Sequence, residues 1–323
     1  MPGRRCRKRI PPVSRQKVGV IGAGQVGVAA AFAMFVQETC AELVLVDVDK
    51  KRAHGEAMDL MHGQGYVGRI VVRDGEYEDL AGCQVIVIAA GAAQKPGETR
   101  LDLLTNNARI FRSIAEGVDR YAPDAILIVA SNPVDVLTYM LQQMSGRPRH
   151  HVIGTGTMLD TSRFRTLLGH YYGVDPRSVH GYILGEHGDS EFPAWSTVTI
   201  GGKPIRGGVL GKEWHPAEME ELFGNVRDAA YHIIEGKGYT NWAIGLVISR
   251  LADIILDDRL SIQPVSARLK GVYGLFDVCV SVPALIGASG VQRLIHLNLE
   301  PDEHEALDNS AELMKKSIAG VEM

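Results

Sequence analysis

The 323-residue sequence contains few cysteines, and none of them are spaced as a metal site or a small disulfide framework would require. The four cysteines lie far apart, at Cys6, Cys40, Cys83 and Cys279. Disulfide scaffolds and structural zinc sites need several closely spaced cysteines, so both are excluded as organising features. We therefore expect no metal and a cytoplasmic location, where thiols stay reduced.

The sequence also lacks a long apolar run and an excess of positive charge. No apolar stretch approaches the roughly 18 residues that a membrane span requires, so we expect a soluble protein with no membrane partner. The formal net charge is -4, which offers no basic field for a nucleic acid. A small-molecule partner fits this composition better.

The first residues, MPGRRCRKRIPPVSR, are basic, as the start of a signal peptide would be. Pro11 and Pro12, however, occupy the place of the apolar stretch that export requires. The few apolar residues of this segment cannot offset the entropy that would be lost on ordering it. Residues 1–16 are therefore predicted to form a flexible N-terminal tail.

From Lys17 onward, short β-rich runs alternate with longer helical stretches. The predicted strands are apolar throughout and occupy residues 17–22, 42–47, 69–72, 83–91 and 125–131. Helical patterns lie between them, at residues 25–36, 50–62, 101–120 and 133–144. This alternation is typical of βαβ units, and uniformly apolar strands indicate a parallel sheet with helices on both faces. Residues 17–153 are thus predicted to form a doubly wound α/β domain of the Rossmann type.

The pattern changes after about Gly154. The elements predicted beyond it are a helix at 159–173, a short strand leading into GEHGDSE, a hairpin with a Gly-Gly turn at 201–202, helices at 216–236 and 240–257, a strand near 278–282 and a last helix near 303–319. Mixed short strands and helices of this kind indicate an α+β arrangement. Residues 154–323 are therefore predicted to form a second, catalytic domain that binds substrate.

A glycine-rich turn joins the first strand to the first helix. It reads Gly22-Ala23-Gly24-Gln25-Val26-Gly27, and its glycines permit a tight turn and the close approach of a pyrophosphate to the helix N-terminus. Asp47 ends the second strand twenty residues after Gly27, where a carboxylate can accept the hydroxyls of an adenosine ribose and repel a 2′-phosphate. NAD is therefore predicted over NADP, and a turn used only for helix packing is the alternative.

Four further segments place polar residues where strands or helices are predicted to end. They are GAAQKPGETR at 91–100, SNP at 131–133, LDTSRFR at 159–165 and GEHGD at 185–189. We expect them to face one crevice at the carboxyl edge of the sheet. The order of GAGQVG, these four segments and GYTNWAIG resembles the lactate/malate dehydrogenase family, over residues 17 to about 320.

The resemblance implies hydride transfer between a nicotinamide cofactor and a 2-oxo acid, with His187 as the acid/base. An imidazolium hydrogen-bonded to the ketone oxygen can donate its proton as the alkoxide forms. By the same resemblance Asp160 pairs with His187, and its negative charge raises the pKa of the imidazole, so that more of it is protonated. A purely structural histidine is the alternative.

Two arginines are implied to act on the substrate. Arg163 follows Asp160 by three residues, on the same helix face, and a guanidinium can hold a carboxylate by two parallel hydrogen bonds. Arg100, with Gln94, lies on the 91–100 loop, which in the family closes over the substrate so that Arg100 polarises its carbonyl. The alternatives are a surface Arg–Asp pair for Arg163 and a solvated loop residue for Arg100.

The remaining predicted site residues belong to the cofactor turn or are implied by the resemblance. The cofactor site adds Gln25, Val26, Gly91, Asn132 and Ile244 to the three glycines and Asp47, and the substrate site adds Asn132 and Thr240. In the family Asn132 would contact both the nicotinamide carboxamide and the substrate oxygen. Asparagine in a turn, and threonine and isoleucine in a core, are ordinary alternatives.

Gln94 distinguishes the two main branches of the family. Malate dehydrogenases place an arginine at this position, which pairs with the second carboxylate of oxaloacetate. With Gln94 that carboxylate would enter a closed site without a partner, at a cost on the order of several kcal/mol. The prediction is therefore the interconversion of pyruvate and L-lactate, the L form being implied by the resemblance alone. Malate dehydrogenase and, more remotely, a non-catalytic NAD-binding protein are the alternatives.

Arg165 and His180 match basic positions that bind fructose 1,6-bisphosphate between subunits in allosteric bacterial members of the family. Cations from two facing subunits suit a bisphosphate, because each phosphate accepts charge-assisted hydrogen bonds. Unregulated animal members carry the same two residues, so activation and its absence both stay open. The family further implies a homotetramer, with a dimer as the alternative, and a role in glycolysis and pyruvate fermentation.

Overall fold

A computed structural model of the chain describes residues 16–92 and 100–321. The predicted N-terminal tail, apart from residue 16, lies outside the described residues. So does Gln94, and so does the side chain of Arg100. The three cysteines in the described part of the chain, Cys40, Cys83 and Cys279, are buried free thiols.

Fourteen strands lie in the described part of the chain. Those of the first half are β1 (Lys17–Ile21), β2 (Glu42–Val46), β3 (Val71–Asp74), β4 (Val85–Ile88), β5 (Ile126–Val129) and β6 (Val152–Gly154). Those of the second half are β7 (Val179–His180), β8 (Ile183–Leu184), β9 (Phe192–Pro193), β10 (Thr199–Ile200), β11 (Lys203–Pro204), β12 (Ser261–Lys270), β13 (Phe276–Gly287) and β14 (Gly290–Leu294).

Nine α-helices accompany these strands within residues 16–92 and 100–321. They are α1 (Gln25–Gln37), α2 (Lys50–His62), α3 (Arg100–Tyr121), α4 (Val134–Met144), α5 (Met158–Tyr172), α6 (Pro216–Arg227), α7 (Ala229–Lys237), α8 (Trp242–Leu256) and α9 (Pro301–Ala319). No helix among them is long and apolar enough to cross a lipid bilayer.

One large sheet has the strand order β14-β13-β12-β6-β5-β4-β1-β2-β3. Its strands from β3 to β6 are all parallel, and β1 pairs with β2 on one side and β4 on the other. The chain therefore reverses its direction across the sheet between β1 and β4, and in doubly wound sheets this is the position at which ligands bind, at the carboxyl ends of the strands. The predicted doubly wound α/β fold is confirmed.

The central parallel strands β4 and β5 are apolar throughout because their side chains enter a core on each face of the sheet. Ile86 and Ile88 of β4 enter a cluster that α3 and α4 cover, whereas Val85 and Val87 enter a cluster beneath α1 and α8. Each large aliphatic side chain that is fully buried stabilises the fold by about 1.5–3 kcal/mol relative to its exposed state. This two-sided burial holds the carboxyl edge of the sheet in place.

The second half differs from the prediction in two places. β12, β13 and β14 are antiparallel and extend the same sheet, with Ser266 of β12 opposite Gly154 of β6. The sequence predicted only a short strand near 278–282, because β12 carries Pro264 and several polar residues and so lacks the apolar signal. The single helix predicted at 216–236 is two helices, which are separated at Asp228.

Helix α8 packs closely on α1, the helix that follows the glycine turn. A Cβ at Gly245 would lie 2.7 Å from the backbone of Ala29, so only glycine lets the two helices approach this closely. The Ser249 hydroxyl donates to Gln37 Oε1 at 2.9 Å and links the same two helices. The contact brings the start of α8 to the side of the glycine turn.

Candidate active site

The three glycines of the turn differ in what an added side chain would contact. Gly22 has φ +102°, and a Cβ there would lie 2.5 Å from the backbone nitrogen of Ala90. A Cβ at Gly27 would lie 1.8 Å from the carbonyl oxygen of Gly22. At Gly24, by contrast, a Cβ would enter open space at the N-terminus of α1. The turn thus leaves room for a ligand directly in front of the helix, as a bound pyrophosphate requires.

Asp47 lies beside this turn. The N–H of Ala23 donates to Asp47 Oδ2 at 2.6 Å, and the N–H of Asp49 donates to Oδ1 at 2.8 Å. These bonds fix a carboxylate at the carboxyl end of β2, next to the glycines. The turn and the acid together have the arrangement that the adenosine end of a dinucleotide needs.

The other predicted cofactor residues lie along the same edge of the sheet or on α1 and α8. Gln25 is exposed, and Val26 and Ile244 both pack against the cluster beneath α1 and α8. Gly91 follows β4, and Asn132 is exposed after β5, where a cis peptide bond joins it to Pro133. The predicted substrate residue Thr240 is partly buried and lies two residues before the first residue of α8.

Buried hydrogen bonds hold the ends of β4 and β5. The Ser131 hydroxyl donates to the carbonyl oxygen of Ala90 at 2.6 Å, and the N–H of Ala92 donates to Asn107 Oδ1 at 2.7 Å. Asn107 itself is fully buried on α3. The segments that carry Gly91 and Asn132 are therefore fixed side by side.

His187, Asp160 and Arg163 form one hydrogen-bonded cluster. His187 Nδ1 lies 2.6 Å from Asp160 Oδ2, and Arg163 Nη1 donates to Asp160 Oδ1 at 2.8 Å. The Asp160 side chain is only 3% exposed, whereas that of His187 is 25% exposed. The structure thus brings together the predicted acid/base, its carboxylate partner and the predicted carboxylate-binding arginine.

Local packing explains why residues 27 positions apart in the sequence meet here. The N–H of Ile183 in β8 donates to Thr161 Oγ1 at 3.0 Å, and the Thr157 hydroxyl donates to the carbonyl oxygen of Ile183 at 2.6 Å. Both threonines lie at the N-terminal end of α5, which also carries Asp160. Strand β8 is therefore attached to this helix end, and the loop after it carries His187 to Asp160.

The charges of the cluster shift the pKa values of both partners. Burial lowers the pKa of His187, but the negative charge of Asp160 and its hydrogen bond to the ring outweigh burial and, with a further contribution from Asp135, raise the pKa to about 9. Burial raises the pKa of Asp160, and the facing charges of His187 and Arg163 more than reverse this, so it is lowered overall. His187 is thus an imidazolium at neutral pH, paired with an ionised carboxylate.

Two residues that the sequence analysis did not select fix the His187 loop. The backbone N–H of His187 donates to Asp135 Oδ2 at 2.8 Å. Asp135 lies in the first turn of α4 and is buried, and burial raises its pKa to about 6 despite the hydrogen bond from His187. The N–H of Glu186 donates to Ser310 Oγ of α9 at 2.6 Å. An acid inside the apolar run VDVL is the signal that could have identified Asp135.

Glu191, at the end of the same loop, was also missed. One ligand atom each of Asp160, His187 and Glu191 lie within 4.8 Å of one another, a set of groups that can hold a metal ion. A divalent cation at this point would compete with Arg163 and a protonated His187 for the two Asp160 oxygens. In the structure, Asp160 instead forms ion pairs with Arg163 and His187.

Arg165, on α5, contacts the residues that directly follow His180 in the chain. Arg165 Nε donates to the carbonyl oxygen of Gly181 at 3.0 Å, and its guanidinium lies 5.2 Å from the ring centroid of Tyr182. His180, in β7, is exposed. The two predicted phosphate-binding residues are thus neighbours, with Arg165 engaged by its own chain.

Both halves of the chain match known proteins of one family. Residues 16–154 match the NAD binding domain of lactate/malate dehydrogenases, and residues 157–323 match the alpha/beta C-terminal domain of the same proteins. An L-lactate dehydrogenase of Salinibacter ruber is 55% identical over 95% of this chain and 98% of its own length, and one of Synechococcus sp. is 46% identical over 94% and 99%. The crystal structure of a minor L-lactate dehydrogenase of Enterococcus mundtii is similar with a TM-score of 0.92 and 42% identity, over 95% of this chain and 99% of that one.

Proposed function

The chain belongs to the lactate/malate dehydrogenase family, and we propose that it is an L-lactate dehydrogenase, which interconverts pyruvate and L-lactate with NAD as cofactor. The observation that carries the proposal is the cluster in which Asp160 holds both His187 and Arg163. It presents one proton donor and one guanidinium, the two groups that a 2-oxo monocarboxylate needs. The relatives named L-lactate dehydrogenase support this choice of substrate.

NAD fits the residues of the described crevice. Gly22, Gly24 and Gly27 would hold its pyrophosphate, with Gln25 and Val26 beside it, and Asp47 its adenosine ribose. Gly91, Asn132 and Ile244 would line the nicotinamide end. Reduced NAD, when bound, supplies the hydride for the carbonyl carbon of pyruvate.

His187 donates the proton in this scheme. Its Nδ1 is engaged by Asp160, which leaves Nε2 as the nitrogen that faces the ketone oxygen. With its pKa raised to about 9, the ring carries the proton at neutral pH and can transfer it as negative charge develops on that oxygen. In the direction of lactate oxidation the neutral ring takes the proton back.

Arg163 holds the substrate carboxylate. One of its terminal nitrogens donates to Asp160, and a guanidinium has five N–H donors in all. The remaining donors can form two parallel bonds to a carboxylate, which fixes the keto acid in one orientation. Thr240 and, as the family resemblance implies, Arg100 complete the contacts to the substrate.

Gln94 sets the preference for pyruvate over oxaloacetate. A neutral side chain leaves the second carboxylate of oxaloacetate without a partner, whereas the methyl group of pyruvate needs none. The test is kcat/KM for both acids with NADH, in the wild-type enzyme and in Gln94→Arg. We expect the wild type to prefer pyruvate and the variant to shift toward oxaloacetate. A wild-type preference for oxaloacetate would make the enzyme a malate dehydrogenase.

We further propose that fructose 1,6-bisphosphate activates the enzyme, with Arg165 and His180 as its ligands across a subunit interface. Support comes from the neighbouring positions of the two basic residues and from the exposure of His180. Pyruvate saturation curves with and without fructose 1,6-bisphosphate test this. We expect a lower half-saturating concentration of pyruvate in its presence, and identical curves would reject activation.

The assembly is proposed to be a homotetramer that works in the cytoplasm, in glycolysis and pyruvate fermentation. The large apolar side chains of Phe32 and Val36 on α1 and of Trp242 and Leu246 on α8 are exposed in the single chain, and surfaces of this kind support a subunit interface. Light scattering coupled to size-exclusion chromatography measures the mass directly. A mass of two chains would favour the dimer.

A further inference from the structure

We propose that Glu191 is a positioning residue, which carries a proton in the working enzyme and donates a hydrogen bond to Asp160. The proposal rests on the proposed function, because its consequence is read from the proton donor His187. Glu191 would act through Asp160 and would not touch the substrate.

The position of Glu191 leaves little access to water. It lies between the loop of His187 and strand β9, and the whole residue is only 5% exposed. Its N–H donates to the carbonyl oxygen of Gly188 at 3.1 Å, which orients the residue toward the cluster. One of its carboxyl oxygens lies within 4.8 Å of an Asp160 oxygen, and the two groups shift each other's pKa as a hydrogen-bonded pair does. Two carboxyl groups in direct contact can share such a bond only if one of them is protonated.

The cations of the cluster decide which carboxyl group is ionised. Asp160 accepts hydrogen bonds from both Arg163 and His187, so its negative charge is compensated twice. Glu191 forms no ion pair within the described residues, and its Oε1 is buried without a hydrogen-bond partner there. A buried charge without a partner is strongly unfavourable. The proton therefore belongs to Glu191.

The electrostatics of the groups that face Glu191 agree with this assignment. Burial, the charge of Asp160 and the hydrogen bond between the two carboxyl groups raise the pKa of Glu191 to about 9, although the positive charges of His187 and Arg163 act in the opposite direction. Asp135 acts on His187 from the side of α4. Near neutral pH Glu191 thus keeps its proton while Asp160 stays ionised.

A hydrogen bond from Glu191 would adjust the strength of the proton donor. A carboxylate that accepts a third hydrogen bond is less basic, so it stabilises the imidazolium of His187 less strongly. General acids work best when their pKa is close to the working pH. Glu191 would therefore prevent Asp160 from raising the pKa of His187 so far that the proton is held too tightly.

The test compares Glu191→Gln with Glu191→Leu in the full-length enzyme with NADH. Glutamine keeps a donor toward Asp160 and is the matched control, whereas leucine removes the donor at similar volume. We expect the pH profile of kcat/KM for pyruvate in Glu191→Gln to match the wild type within about 2-fold. In Glu191→Leu we expect the basic limb of the profile to move to higher pH by about 1 unit, with a fall of ~10-fold near neutral pH.

An ionised Glu191 predicts the opposite result. Both variants would then remove a negative charge beside His187, so the basic limb would move to lower pH in both, and this would overturn the proposal. Infrared spectroscopy of the NADH complex gives a second measurement that does not depend on turnover. We expect the carbonyl band of a protonated carboxyl group that is present in the wild type and missing in Glu191→Gln, and identical spectra would equally overturn the proposal.

The two measurements separate this inference from the proposed function. A wild-type enzyme that does not reduce pyruvate would reject the function, while the infrared spectra would still decide the protonation of Glu191. If Glu191→Leu does not fold, the comparison of Glu191→Gln with the wild type still distinguishes the two cases, because only an ionised Glu191 makes the profile of Glu191→Gln shift.

Discussion

At the scale of single residues, the chemistry depends on Asp160, which forms hydrogen bonds with two functional groups at once. Its two oxygens accept hydrogen bonds from His187 and Arg163, so one buried carboxylate fixes both the proton donor and the carboxylate-binding group. This connection means that a change at Asp160 alters the protonation of His187 and the orientation of the substrate together. The two effects can be separated by their dependence on pH.

The raised pKa of His187 predicts opposite pH profiles for the two directions of the reaction. Reduction of pyruvate needs the imidazolium and should decline as the pH rises through about 9, whereas oxidation of lactate needs the neutral ring and should increase over the same range. Replacement Asp160→Asn removes the main group that raises the pKa of His187. Both profiles should therefore move to lower pH in the variant, as steady-state kinetics can measure.

The same shift gives a prediction for stability. Because the pKa of His187 in the folded state lies above its ordinary value of roughly 6.5, its ion pair stabilises the fold fully below that value, and this contribution is lost as the pH rises through about 9. The difference in free energy of unfolding between the wild type and Asp160→Asn should thus shrink between neutral pH and pH values above 9. A constant difference in urea denaturation across that range would contradict the ion pair.

Sequence reasoning identified residues whose chemistry is visible locally and missed those whose role depends on a distant contact. The glycine turn, Asp47, His187, Asp160 and Arg163 stand in recognisable segments. Glu191 and Asp135 are acids within or beside apolar segments, and only the fold shows that they contact Asp160 and His187. An acid inside an apolar run marks Asp135 as unusual, but no local pattern identifies the partners of either acid, because the partners come from different elements.

At the scale of secondary-structure elements, the turn between β1 and α1 combines two kinds of glycine. Gly27 allows the helix to contact the carbonyl oxygen of Gly22, whereas Gly24 faces open space at the helix N-terminus. The first is a requirement of folding and the second a requirement of ligand binding. Replacement of each glycine by alanine, which adds one methyl group, distinguishes these two requirements.

We predict different outcomes for alanine at the two positions. Gly27→Ala places a Cβ 1.8 Å from a backbone oxygen and should lower the free energy of unfolding by about 3 kcal/mol or more. Gly24→Ala should leave the stability of the protein without cofactor nearly unchanged and weaken NADH binding by about 10-fold or more. Thermal unfolding and NADH fluorescence titration measure the two effects, and equal losses of stability in both variants would contradict this assignment.

The strands of the parallel sheet were predictable because their burial on both faces leaves a continuous apolar run. The long antiparallel strand β12 was not predictable, since its sequence SIQPVSARLK includes a proline, two serines and Arg268, all of which are buried or half-buried in the structure. Ser266, for example, is fully buried opposite Gly154. Tertiary contacts, which the local pattern does not contain, decide the conformation of such a segment.

At the scale of the whole molecule, the two halves share one sheet. β12 of the second half pairs with β6 of the first, and the His187 loop is joined to β13 because the N–H of Gly185 donates to the carbonyl oxygen of Ser281 at 3.0 Å and the reverse bond is 2.7 Å. The cofactor crevice and the acid/base cluster are therefore parts of one continuous structure.

Shared strands predict cooperative unfolding of the two halves. Calorimetry should show one transition, and NADH at about 100 times its dissociation constant should stabilise the folded protein by about 2.7 kcal/mol and shift the whole transition. Two separate transitions, only one of which is shifted by NADH, would contradict the continuity of the sheet.

The most direct test of the central claim is the rate of pyruvate reduction by His187→Asn, measured alongside NADH binding. If the imidazolium donates the proton, kcat/KM should fall by about 10²–10⁴-fold, while the affinity for NADH stays within a factor of about 2, because the glycine turn and Asp47 are unchanged. Turnover at the wild-type rate in this variant, with NADH bound as before, would remove His187 from the reaction and contradict the account.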